Sequence, residues 1–203
     1  KEDLHQFVKE KLNASNQSQK GFHFESYDID FSQWGSIKEE PLTKFQKAAF
    51  QNLHTSWINI PHVTQHDEAD ITDLLALREE IQKNRYTKIT PLAFFIKAIC
   101  NVLKDFPLLN SSLSSSLEGV VIKEFINIGV AVDTPYGLIV PSIKNVHHLG
   151  ILEIGDEIKR LSDLAKARKL SNKELQGGTF SVSSLGGIGG KFFTPIINPP
   201  EVA

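Results

Sequence analysis

The segment GGTFSVSSLGGIGGKFFTPIINPPEVA, Gly177 to Ala203, holds six of the chain's 13 glycines, all between Gly177 and Gly190. Inside it, Thr179-Phe180-Ser181-Val182-Ser183 alternates. Read as a strand, period two puts Phe180 and Val182 on one face and the three hydroxyls on the other. Ser183, Ser184 and Leu185 then enter the turn Gly186-Gly187-Ile188-Gly189-Gly190. Glycine is used where the backbone needs positive φ or where another molecule must come close. Two readings of Ser183 follow. It is a turn serine satisfying nearby backbone groups, or a hydroxyl delivered at a strand end to hold a reacting carbonyl oxygen.

Upstream of this segment the pattern is mixed. Ile151 to Arg168 reads as a helix, with Ile151, Ile154, Ile158, Leu161 and Ala165 on one face. Strands are expected at Val120–Phe125 and Ile126–Val132. Turn chemistry at Asp133-Thr134-Pro135-Tyr136-Gly137 and a further strand at Leu138–Pro141 make 126–141 a hairpin with a loop longer than two residues. Asn110 to Ser116 reads as a serine-rich connection. Before it, Thr90 caps a helix with Pro91 at its first position. Its expected buried stripe is Leu92, Phe95, Ile96, Ile99, Leu103 and Phe106, and Pro107 ends it. Asp70 is expected to cap the preceding helix, which carries Ile71, Leu74, Leu75 and Ile81.

Closer to the N-terminus, His62 to His66 reads as a strand after Pro61. Pro41 suits the first turn of a helix carrying Leu42, Phe45, Ala49 and Leu53 towards Trp57. Phe22 to Glu40 reads as an extended arm. Lys1 to Leu12 has helical spacing, and NASNQSQKG (13–21) has linker composition. Helices and strands interleave but hairpins occur, so the expected class is α+β.

The totals exclude several classes. The chain has 203 residues, 40% apolar and 23% charged, with a formal net charge of -2. That balance gives no field for nucleic acid or an anionic membrane surface. No run of about 20 apolar residues is present. The single cysteine, Cys100, excludes an internal disulfide framework and fits a reducing compartment. Mid-helix, it reads as a small apolar core residue. No secretory signal pattern is visible, and the lack of methionine leads us to expect a segment of a longer chain.

A metal site at His62 and His66 is not supported. On a strand rising about 3.3 Å per residue they would stand roughly 13 Å apart, too far for one ion bound at roughly 2 Å. Surface or interface histidines are expected there, and His147-His148 is given no role. The Gly186–Gly190 run lacks the Gly-Lys-Ser/Thr ending of a phosphate loop.

Several phrases, in order, carry a resemblance. They are Ile60-Pro61-His62-Val63-Thr64-Gln65 with Asp70-Ile71-Thr72; Asn110-Ser111-Ser112-Leu113; Ile128-Gly129-Val130-Ala131-Val132-Asp133-Thr134-Pro135; Gly137-Leu138-Ile139-Val140-Pro141; and Gly177-Gly178-Thr179-Phe180 leading to Pro195-Ile196-Ile197-Asn198-Pro199-Pro200-Glu201-Val202-Ala203. Together they resemble the catalytic domain of the dihydrolipoamide acyltransferases, the E2 component of 2-oxo acid dehydrogenase complexes. The acetyl-transferring members of pyruvate dehydrogenase complexes are the most similar.

The resemblance implies a chloramphenicol-acetyltransferase-like two-layer sandwich of mixed sheet and helices, with its C-terminal part missing from these 203 residues. It implies residues 1–12 as the tail of a peripheral subunit-binding domain, 13–27 as a flexible linker and 28–203 as the catalytic domain. The implied reaction moves an acetyl group between a dihydrolipoamide thiol and coenzyme A. The lipoyl group would be carried on a separate upstream lipoyl domain. Implied partners are two further copies in a homotrimer, a 24-mer or 60-mer core built from trimers, and the E1 and E3 components; no nucleic acid or membrane is expected. A bacterial cytoplasm is the implied compartment, with the mitochondrial matrix as the alternative.

Ser183 matches the family's oxyanion donor. Arg78 and Lys97 are candidates for the phosphates of coenzyme A, and either also reads as a solvated helix charge. The family's base stands in a His-x-x-x-Asp/Asn-Gly motif, which none of the seven histidines matches. These residues alone are therefore expected to be inactive. A non-catalytic scaffold homologue, or a branched-chain or succinyl-specific enzyme, are the alternative readings.

Overall fold

A computed structural model describes residues 28–85, 88–186 and 189–203. The expectations for 1–12 and 13–27 lie outside the described residues. The chain divides into two compact units, 1–55 and 56–203.

In the first unit, a single 3-10 turn spans Phe31–Trp34, with Asp30 accepting from the Ser32 amide at 3.0 Å. Helix α1 (Lys44–Asn59) follows, its last four residues belonging to the second unit. Pro41 is not in its first turn, as the sequence led us to expect. The start is fixed instead by a reciprocal cap at Thr43: the Gln46 amide donates to Thr43 Oγ1 at 3.2 Å, and the Thr43 amide donates to Gln46 Oε1 at 2.9 Å.

The second unit builds its core around one strand. Helix α2 (Thr72–Arg85) begins one residue later than expected: the Ile71 carbonyl accepts its first bond, from Leu75 at 2.9 Å, and Asp70 Oδ1 accepts from the Thr72 amide at 2.9 Å from just outside the cap position. Helix α3 (Pro91–Asp105) starts after Thr90, although the Thr90 side chain makes no capping bond. It buries Ala93, Phe94, Ile96, Cys100 and Leu103. Of the expected stripe, Ile96 and Leu103 are buried and Leu92 and Ile99 pack against the core, while Phe95 and Phe106 are corrected to exposed, at 38% and 59%. Asn101, Lys104 and Asp105 mark the solvent side, and Phe94 in place of Phe95 is the difference in the inward face.

The serine-rich stretch 110–116 is not a plain connection. Ser111–Leu113 forms β1, antiparallel to β2 (Val120–Ile122). Asn110, Ser111 and Ser112 are buried because each finds a backbone carbonyl. Asn110 Nδ2 donates to the Lys123 and Phe125 carbonyls at 2.8 and 3.0 Å. Ser111 Oγ donates to the Leu108 carbonyl at 2.7 Å.

The hairpin of 126–143 has two tiers. β3 (Ile128–Val130) pairs antiparallel with β6 (Ser142–Ile143), and further out β4 (Val132–Thr134) pairs with β5 (Gly137–Ile139). Its tip is Pro135-Tyr136, a two-residue loop, shorter than the sequence suggested. Helix α4 (Ile151–Lys166) then packs Ile154, Leu161 and Ala165 inward, on the face expected. The short helix α5 (Asn172–Leu175) leads to β7 (Phe180–Val182), which lies parallel to β3 in the order β6-β3-β7. A parallel neighbour needs a crossover connection, and α4 lies in it. β3 is buried along its whole length, consistent with its unbroken apolar sequence.

The expected strand at His62–His66 is absent. Residues 61–71 have no regular structure, and Val63 is 92% exposed. Alternating β-branched residues form no strand when no neighbouring strand takes up their backbone groups.

Candidate active site

The site is built from the hydroxyl face of β7. Register sets Phe180 against Ile128, Ser181 against Gly129 and Val182 against Val130. Phe180 and Val182 pack on the core. On the other face, Thr179 is fully buried and bonded to one residue. Its amide donates to the Asn127 carbonyl at 2.8 Å, while its hydroxyl donates to that carbonyl at 3.1 Å or accepts from the Asn127 amide at 3.2 Å. Asn127 continues the brace, its Nδ2 donating to the Gly177 carbonyl at 2.6 Å and its Oδ1 accepting from the Asn145 amide at 2.8 Å. The entry to β7 is therefore fixed at both ends of the Asn127 side chain.

Two residues further on, Ser181 Oγ is buried and meets no hydrogen-bond partner. It presses on β3: a Cβ added at Gly129 would lie 2.7 Å from it and 2.9 Å from Val140 Cγ1. Only glycine fits there. Two residues beyond, Ser183 stands just after the strand, exposed, its hydroxyl unpartnered among the described residues. Of the three hydroxyls expected on one face, the last, Ser183, is the exposed one.

Beneath β7 lies a carboxyl that sequence reasoning missed. Glu201 is 5% exposed, and its Oε2 is buried without a hydrogen-bond partner. A Cβ at Gly178 would lie 2.9 Å from its Oε1, so the carboxyl is seated against the backbone just before β7. Burial pushes this carboxyl above its ordinary range, opposed by the Ser181 and Asn198 side chains and the Lys123 ammonium. Lys123, in turn, is pushed down by burial and raised by Glu201, while its Nζ donates to the Ser111 carbonyl at 2.9 Å. The only sequence signal for Glu201 is one acidic residue between Pro200 and Val202.

The segment after the glycine turn is tied down at separate points. His62 Nδ1 lies 2.8 Å from the Ile60 carbonyl, and its Nε2 accepts from the Ile197 amide at 2.9 Å. These bonds assign the proton to Nδ1 and occupy both ring nitrogens. His62 is thus a structural brace, where a surface or interface histidine was expected. His66 meets the Phe192 ring edge-on at 4.7 Å between centroids, and Ser112 Oγ donates to the Pro200 carbonyl.

The remaining candidates stand apart. Arg78 is partly buried on α2 with its Nε unpartnered. Lys97, on α3, donates to the Leu149 carbonyl at 2.7 Å. No hydrogen bond or ion pair joins Arg78, Lys97 and Ser183. Cys100 is a core residue, as expected: burial pushes its thiol up, against the pull of Lys104 and Lys97. A protonated, enclosed thiol is a poor nucleophile. His147 is pushed down, first by burial and then by His148, Lys104 and Lys97. Among the described residues, no three His, Cys, Asp or Glu side chains gather as a metal would require.

Comparison with known proteins fits this arrangement. Residues 35–203 match the family described as 2-oxoacid dehydrogenases acyltransferase (catalytic domain), and the chain belongs to that family. The dihydrolipoyllysine-residue acetyltransferase component of the pyruvate dehydrogenase complex from Cupriavidus necator is 49% identical over 178 residues, which are 86% of this chain and 32% of that protein. The chain spans about a third of the length of such relatives. A solved structure of the Azotobacter vinelandii dihydrolipoamide acetyltransferase superposes with a TM-score of 0.85 at 42% identity, covering 88% of this chain and 75% of that one. That structure was determined to test a serine, a histidine and an asparagine in its catalytic mechanism. The cubic core of a pyruvate dehydrogenase multienzyme complex gives the same TM-score, identity and coverage. The fold is therefore the α+β, chloramphenicol-acetyltransferase-like one expected.

Proposed function

We propose that this chain carries the acetyl-transfer site of a dihydrolipoamide acetyltransferase and forms part of the core of a pyruvate dehydrogenase complex. One observation carries the reading: in a member of this family, β7 is followed at once by an exposed serine hydroxyl with no partner among the described residues, leading into a glycine-rich stretch.

The substrates are an acetyl thioester on a lipoyl arm and the thiol of coenzyme A. A thiolate attacks the thioester carbonyl carbon, and the C=O pair moves onto oxygen. As the tetrahedral species collapses, the other sulfur leaves as thiolate. Ser183 Oγ–H donates to the oxyanion while charge is greatest, so its stabilisation falls on the transition state. A base must take the attacking thiol's proton. His62 is excluded from that role because both ring nitrogens are committed. The base expected from the family lies in a motif these 203 residues do not contain.

Arg78 and Lys97 remain the proposed contacts for the phosphates of coenzyme A, and Arg78 has the freer guanidinium. The domain division expected from the sequence, 1–12, 13–27 and 28–203, is kept as part of the reading, with E1 and E3 binding assigned to the first of these. Homotrimers joined in the cubic form of the solved relative, in a bacterial cytoplasm, complete it. Ser183→Ala in the full-length protein tests the reading. The expected loss is about 10²–10³ in kcat with the melting temperature unchanged. An unchanged kcat removes Ser183 from the mechanism.

A further inference from the structure

Resting on the role proposed for Ser183, we infer that Glu201 is its positioning residue: the buried carboxyl, seated on Gly178 and beside Ser181, clamps segment 198–201 under β7 and so fixes where the strand delivers the Ser183 hydroxyl.

Three observations carry this. First, Glu201 is the one buried residue in 189–203, which otherwise has no helix or strand among its described residues. A buried carboxyl costs stability unless its surroundings supply compensation, so its place in an exposed segment needs a cause. Second, the carboxyl lies directly against the backbone that leads into β7. Its Oε1 occupies the space a Cβ at Gly178 would need, and Ser181 is wedged against Gly129 on the next strand. Third, the neighbouring chain is aligned to hold it. The Glu201 amide donates to the Asn198 carbonyl at 3.0 Å, and Ser112 Oγ donates to the Pro200 carbonyl. Lys123 supplies the nearby positive charge, anchored on the Ser111 carbonyl. Ser183 follows β7 directly, two residues beyond Ser181, so a shift of the strand at Ser181 is passed along the backbone to Ser183.

The test is a set of kinetic cycles in the full-length protein. Glu201→Ala removes the carboxyl, and Gly178→Ala displaces it without changing its chemistry. Each is expected to lower kcat about tenfold or more, with KM for both thiol substrates within about twofold of the parent. Glu201→Gln keeps the shape and should stay within about threefold. In a Ser183→Ala background, Glu201→Ala and Gly178→Ala should each cost less than twofold, because they act through a hydroxyl no longer there. Losses that multiply with that of Ser183→Ala, or no loss in either variant, overturn the proposal while leaving the role of Ser183 standing. If Ser183→Ala alone has no effect, the functional reading fails first. If Glu201→Ala does not fold, Gly178→Ala carries the same decision.

Discussion

Around β3, the side chains of Ile96, Ile128, Val146 and Ile154 are fully shielded from water, whereas in residues 189–203 Glu201 alone is buried. The first region is held by apolar contact spread over three helices, α2, α3 and α4, and three strands, β3, β6 and β7. The second is held at a few polar points: His62 on Ile197, Ser112 on Pro200 and Glu201 on Gly178. Spread contact resists local change, because many neighbours share each loss. Point anchoring does not, so one substitution can move the site while the domain stays folded. β7 joins the two regimes, with Thr179 locked in the packed one and Ser183 presented by the other.

The difference can be broken from either side. Ile96→Ala should cost about 2–5 kcal/mol of stability, read by denaturant unfolding, because the cavity closes only partly. Its activity should fall in step with the folded fraction. Ser183→Ala should do the reverse, with about 2.7–4 kcal/mol lost from transition-state stabilisation and an unchanged unfolding curve. If both variants lose stability alike, the two regions are not held differently.

His62→Ala should lie between them. Global stability should fall by about 0.5–1.5 kcal/mol, the worth of an ordinary hydrogen bond. Amide exchange should rise most around Ile197, and the core amides of β3 should stay protected. Uniformly faster exchange would show that the segment and the core open together.

The smallest effect concerns α5. Glu174 is held down at about 2, first by the Ser171 amide at 2.7 Å and then by Arg160 at 2.6 Å. A carboxyl held below its unfolded value adds stability that is present above about pH 4.5 and is lost as pH falls towards about 2. Glu174→Gln should flatten the acid limb of the melting curve over that window and leave neutral-pH activity unchanged. An identical acid limb in the variant would mean that this pair contributes nothing.

How much was legible in the sequence follows the same division. The α4 face and the β7 alternation were readable because both follow one clean period. Ser183 was readable as a hydroxyl at a strand end, and the resemblance gave it a role. The inward face of α3 was readable in Leu92, Ile96, Ile99 and Leu103 but not at Phe94 and Phe95. With Phe94, Phe95 and Ile96 in a row, the edge of the apolar face is ambiguous, and packing chose Phe94 over Phe95. Ser111 and Ser112 looked like a loop because hydroxyls are mostly exposed, and only the carbonyls of Leu108 and Pro200 make their burial tolerable.

By itself, then, the amino-acid order determined the class of fold, most of its helices and the hydroxyl at residue 183, since these depend on neighbours within a turn or a strand. The tertiary structure decided that His62 grips a backbone amide 135 residues away and that a lone carboxyl near residue 200 lies beneath β7. A hydrogen bond between distant residues leaves no periodic trace, because its partners are set by how the chain folds back and not by their spacing along it.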